Sequence, residues 1–133
     1  MESPTIEEIL EAYFTCALWS SIDHTDQPMD DNYSLNDIAT PLKELAFAEI
    51  NCWLGYCNEL GLIEQFLNHP QTTQATRVTP EKMLGHDFWL TRNGHGSGFW
   101  DRGLGQLGND LTDATKTFGT MDLYVGDDNK IYA

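Results

Sequence analysis

Positive charge is what this chain of 133 residues has least of: seven Lys and Arg stand against 21 Asp and Glu, a formal net charge of −14. No Lys or Arg occurs before Lys43, whereas Glu2, Glu7, Glu8, Glu11, Asp23, Asp26, Asp30, Asp31 and Asp37 all do. Such a front half repels phosphates and has few cations to exchange for their counterions, so direct nucleic-acid binding is not expected. Cysteine is scarce too. Cys16, Cys52 and Cys57 form no CxxC or zinc-type pair, and no N-terminal run joins basic residues to a long apolar core, which points to a reduced, cytoplasmic setting. No run reaches the ~20 uninterrupted apolar residues of a membrane span, so no membrane role is expected. No glycine-rich stretch is followed by GK[ST], and Ser97 in HGSGF lacks the strand-turn-helix setting of a nucleophile elbow. Nucleotide hydrolysis and serine chemistry therefore find no support, and no cofactor is implied.

What the chain does have is helical periodicity. Ile6, Ile9, Leu10, Tyr13, Phe14, Ala17 and Leu18 draw one apolar stripe, so a helix begins near residue 4, opened by a Thr5/Glu8 capping box or by Ser3-Pro4. Residues 23–33, polar and interrupted by Pro28, read as a loop. After a short turn, Thr40-Pro41 opens a helix over about 41–60 that buries Leu42, Leu45, Ala46, Ile50, Trp53, Leu54 and Cys57. Gly61 stops it, with a brief continuation through Leu62, Ile63 and Phe66. Pro70 to Thr76 reads as a polar connection. Thr79-Pro80 starts a further helix through Met83, Leu84, Phe88 and Trp89, halted by Asn93-Gly94. Leu104, Leu107, Leu111, Ala114 and Phe118 make one more, ending at Gly119. Met121 to Val125 and Lys130 to Tyr132 flank GDDN as a hairpin, which must pack on the helices or gain a third strand, for which Ala75 to Val78 is the candidate. The expectation is a single domain, 1–133, of α+β class: mainly helical, about four to five helices with a small C-terminal β-hairpin packed on them.

The densest chemistry lies in GHDFWLTRNGHGSGFWDRG, residues 85–103, where His86, Asp87, Trp89, Arg92, His95, Trp100, Asp101 and Arg102 share nineteen positions with five glycines. Glycine permits close approach and tryptophan supplies large buried area with a polar handle, so the run suits a shaped site or a tightly packed turn. In the second case Arg92 and Arg102 pair with Asp87 and Asp101 to brace the bend, and Trp89, Phe99 and Trp100 go to the core or to an interface. In the first, His86, His95 and Asp101 are the metal ligands to expect, since zinc and iron sites use two imidazoles and a carboxylate. The His86-Asp87 pair is also similar to the adjacent His and Asp of HD-type metal-dependent phosphohydrolases, with His69 and Asp122 or Asp127 as the remaining ligands. Glu7, Glu8 and Glu11 spell EExxE, similar to the magnesium motif of all-helical, MazG-like nucleotide pyrophosphatases, but the ExxD that completes that motif is missing.

Taken whole, LGHDFWLTRNGHGSGFWDRG with the LYVGDD that follows resembles the C-terminal part of a group of small uncharacterised proteins encoded by tailed bacteriophages. The likeness covers roughly the last fifty residues. It implies an accessory phage protein made in the host bacterial cytoplasm and transfers no activity. Joined to the charge, it gives the leading expectation: a protein that acts by binding, an acidic inhibitor or nucleic-acid mimic offering Glu7, Glu8, Glu11, Asp23, Asp26, Asp30 and Asp31 to a basic host protein. The alternative is a small metal-dependent hydrolase centred on His86, Asp87, His95 and Asp101.

Overall fold

In the computed structural model, which describes residues 6–74, 78–94 and 98–133, helix α1 (Ile6–Ser20) buries Ile9, Tyr13, Phe14, Cys16, Ala17 and Leu18. That is the stripe its spacing draws. Its expected starts at Ser3-Pro4 and Thr5 lie outside the described residues. The remaining helices are α2 (Met29–Asn32), α3 (Thr40–Glu59), α4 (Leu62–Asn68), α5 (Pro70–Thr73), α6 (Pro80–Arg92) and α7 (Gln106–Lys116), with 3-10 turns at Leu35–Asp37 and Phe99–Asp101. The chain is thus mainly helical with a small hairpin, but seven helices stand where about four to five were expected. The surplus is α2 and α5, single turns inside the two polar connections. Pro28 stands just before α2, Pro70 takes the first position of α5, where a missing N–H costs nothing, and the His69 ring accepts the Gln71 N–H at 3.1 Å.

Helix α3 buries Leu42, Ala46, Ile50, Trp53 and Cys57 as its period requires. Two of its expected core residues depart from that row: Leu45 is exposed and Leu54 only half-buried. They flank the stripe, and the neighbouring helices cover only its centre. Gly61 ends α3 in the left-handed region (φ 73°), releasing α4, whose Leu62, Ile63 and Phe66 are buried. Thr79 caps α6 by accepting the Lys82 N–H at 3.3 Å.

The tightest contact in the fold is between α1 and α6. A Cβ on Gly85 would overlap the Ile9 carbonyl oxygen and stand 2.9 Å from the Tyr13 nitrogen, so only glycine lets the helix backbones touch there. Packed on α1 at one side, against α7 at another, and reached by Trp53 and Glu49 of α3, α6 has no solvent side over its second half: Asp87, Phe88, Trp89, Leu90, Thr91 and Arg92 are all buried. Tyr13, Trp53, Phe66, Phe88, Trp89 and Phe99 meet at ring-centroid distances of 4.9 to 6.0 Å, mostly edge to face, and form the aromatic centre of one contiguous core.

The hairpin pairs β1 (Tyr124–Val125) antiparallel with β2 (Ile131–Tyr132), in register Tyr124 to Tyr132 and Val125 to Ile131. Asn129 takes the positive φ (61°) that the turn demands. Most of the candidate third strand, residues 75–77, lies outside the described residues; the observed third partner is the segment before α3. Ala39 donates its N–H to the Ile131 carbonyl at 2.9 Å, and Ile131 is fully buried against that join.

Candidate functional site

Arg92, at the last turn of α6, is the best-connected side chain of the 85–103 segment. Nε donates to the Gly119 carbonyl (2.9 Å), Nη1 to the Tyr13 hydroxyl (2.9 Å) and to Glu49 Oε1 (2.9 Å), and Nη2 to Glu49 Oε2 (3.3 Å) and the Phe118 carbonyl (3.1 Å). All five guanidinium donors are therefore used. Burial opposes the charge, but the hydrogen bonds and proximity of Glu49 and Tyr13 outweigh it and hold the Arg92 pKa above its usual value. Burial likewise pushes the Tyr13 phenol up to about 12, so it stays neutral and passes its own proton towards Met121 Sδ at 3.6 Å. The expected pairing of Arg92 with Asp87 or Asp101 is corrected: its carboxylate is Glu49 of α3. Sequence reasoning passed over Glu49, whose only signal was its place at the edge of the buried α3 row, one residue before Ile50.

Arg102 makes the other brace. Its Nε and Nη2 both donate to the Asp87 carboxylate, the second at 2.9 Å, and this bidentate bond holds the guanidinium charged. Asp87 is buried and His86 Nδ1 lies at the edge of its reach, 3.5 Å from Oδ1. Both Asp87 oxygens are thus committed to a structural pair. Asp101 is exposed and makes no ion pair among the described residues, and Trp100 lies half in solvent with the Lys116 ammonium 6.0 Å above its ring. Trp89, by contrast, is in the core, its indole N–H donating to Ser20 Oγ at 2.7 Å. Phe99 is buried and its N–H donates to Thr91 Oγ1 at 3.2 Å.

His95 lies outside the described residues, and among those described no three or more His, Cys, Asp and Glu side chains are grouped to hold a metal ion. His69 is engaged in capping α5, Asp122 lines a shallow cavity beside Trp89, and Asp127 is exposed in the hairpin turn. Burial pushes the Cys16 and Cys57 thiols up to about 12, which removes both as nucleophiles; Cys52 is exposed. No described helix is long and apolar enough to cross a membrane.

The acidic front divides in two. Glu7, Glu8 and Glu11 are exposed on the first turns of α1, and Asp26, Asp30 and Asp31 are exposed beyond its other end. From Glu11 and Glu7 to the end of α1 at Ser20 the helix runs about 14 to 20 Å at ~1.5 Å per residue. Asp23 does not belong to that surface and is corrected: it is buried and organises the turn. It accepts the Thr25 hydroxyl (2.6 Å), the N–H groups of Thr25 (2.8 Å) and Gln27 (3.2 Å), and the Asn32 amide (3.3 Å). Those bonds, the Thr25 hydroxyl first, lower its pKa to about 2. A carboxyl whose folded pKa lies below its unfolded value of 3.8 contributes stability above about pH 4 and loses it as pH falls through about 2. The Asp23 carboxyl carbon, followed by NMR, should titrate with a midpoint near 2; a midpoint at or above 3.8 would refute this account of the turn.

Trp19 near the end of α1 and Ile22 just beyond it are 60 % and 62 % exposed, and Asp26, Asp30 and Asp31 follow them in the chain. No family model matches the chain, and neither a curated protein nor a solved structure matches it.

Proposed function

We propose that this protein acts by binding, as a phage accessory protein in the host bacterial cytoplasm that inhibits a basic host factor by presenting an acidic surface in place of nucleic acid. The observation that supports this reading most strongly is the exposure of Trp19 and Ile22 in a stretch of chain that carries the exposed Asp26, Asp30 and Asp31 and no Lys or Arg to neutralise them. Aromatic anchors give an interface most of its binding energy, and surrounding carboxylates select a cationic partner and speed encounter. Glu7, Glu8 and Glu11 extend the field along α1. The phage assignment rests on the resemblance of residues 84–132. The buried Arg92 and Asp87–Arg102 braces favour a structural role for the bend over a catalytic one.

The test is capture from bacterial lysate at low and high salt, with the wild type beside Asp30→Lys/Asp31→Lys and Trp19→Ala. A specific partner should be retained at low salt, weakened by high salt, and lost at least tenfold in both variants. Capture that survives the charge reversals unchanged, or a partner with no basic surface, would sink the proposal.

A further inference from the structure

A second surface, sharing no residue with the first, lies where α3, α4 and α7 meet. It is an open groove of about 530 Å³ whose walls include Tyr56 and Leu60 of α3, Gln65 of α4, and Asp110, Asp113 and Ala114 of α7. Tyr56 and Leu60 are each 53 % exposed, one helical turn apart on the same flank. The flank continues away from the groove to Cys52, also exposed, and ends at Glu49, whose carboxylate is held by Arg92, so the open apolar row runs about 12 Å along α3 at ~1.5 Å per residue.

The rim has one sign of charge. Asp110 is held by the Gln106 side-chain amide at 2.9 Å, Asp113 makes no ion pair among the described residues, and no Lys or Arg lines the groove. Glu59 and Glu64 are exposed one residue before Leu60 and Gln65. A second copy of this chain is a poor occupant, because it brings the same −14 and, among the described residues, only Lys43, Lys82 and Lys130 as exposed cations with neither an ion pair nor an aromatic ring beneath them. Lipids and other anions meet the same repulsion. A compact organic cation would satisfy the carboxylates yet leave most of the row uncovered.

We infer that this groove docks a basic amphipathic helix of a partner protein, its apolar side chains at helical spacing seated on Leu60, Tyr56 and Cys52, its Lys and Arg facing Asp110 and Asp113. Recognition of this kind reads anchors one and two turns apart and uses flanking charge for orientation. It stands independently of the Trp19 surface.

The probe is an 18-residue Leu/Lys helix with apolar residues on one face, titrated into isotopically labelled protein, beside a scrambled peptide of identical composition and spermidine. The expected result is shift changes centred on residues 56, 60, 65, 110 and 113, with affinity at least tenfold above the scrambled peptide. Leu60→Ser and Asp113→Lys should each weaken it about tenfold, while Asp30→Lys/Asp31→Lys does so by less than threefold. Because Leu60 and Asp113 are exposed, both variants are expected to keep the wild-type melting curve. Shifts centred elsewhere, equal binding of the scrambled peptide, equal groove shifts with spermidine, or indifference to Leu60→Ser would each overturn the inference.

Discussion

Gly85→Ala is expected to destabilise the protein by about 3 kcal/mol, lowering Tm by roughly 10 °C, although alanine is ordinarily the better helix former by ~1 kcal/mol. The added methyl has nowhere to go: the atoms it meets are the Ile9 carbonyl and the Tyr13 nitrogen, main chain that yields only if α1 moves off α6. Separating them would disturb the packing of Tyr13 against Phe88 and Trp89. Gly55, in the middle of α3, provides the opposite case. Nothing lies within 4 Å of a Cβ built there, so Gly55→Ala should stabilise by about 0.5 to 1 kcal/mol. Urea denaturation of the two variants checks both signs, and a neutral Gly85→Ala would mean the helices are not in backbone contact.

Replacing Arg92 by alanine should cost about 3 to 5 kcal/mol, the range for removing one partner of a buried ion pair. Glu49 would be left with a partly buried charge, and the carbonyls of Phe118 and Gly119 and the Tyr13 hydroxyl would each lose a donor. Arg92→Lys should rescue only in part, since an ammonium has three donors for a site built on five. In Glu49→Gln the guanidinium keeps its other contacts, and the loss should be smaller than for Arg92→Ala. Equilibrium unfolding of the three variants gives the order; a loss under 1 kcal/mol for Arg92→Ala would show that the network is incidental to stability.

The sequence made the periodic parts of the fold legible. The α1 stripe, the Gly61 break, the Thr79 cap and the GDDN hairpin each rest on local geometry, which a short window of residues determines, whereas the last helix, expected from Leu104 to Gly119, spans only Gln106–Lys116. Helix α6 was legible as a helix but not as a central one. Its pattern offers Met83, Leu84, Phe88 and Trp89 as one face, whereas Asp87, Thr91 and Arg92 on the other sides are buried too. Those polar residues reach the interior because their partners, Arg102, the Phe99 N–H and Glu49, come from 8 to 43 positions away. No local rule connects such distances. The same limit explains Asp23, a member of an acidic run by composition and a turn organiser by its four hydrogen bonds. The α3 groove was hidden for a different reason: Tyr56 and Leu60 lie off the buried row, and only the placement of α4 and α7 makes a groove beside them.

A helix walled in on every side also leaves sequence drift no neutral direction. From Asp87 to Arg92 each position has lost the solvent-facing freedom that lets an ordinary surface helix vary, and its charged members are tied to distant mates. Change along this stretch is therefore expected to be correlated, Asp87 with Arg102 and Arg92 with Glu49, while water-facing positions of α3 away from the groove, such as Ala48 and Asn51, remain free to wander.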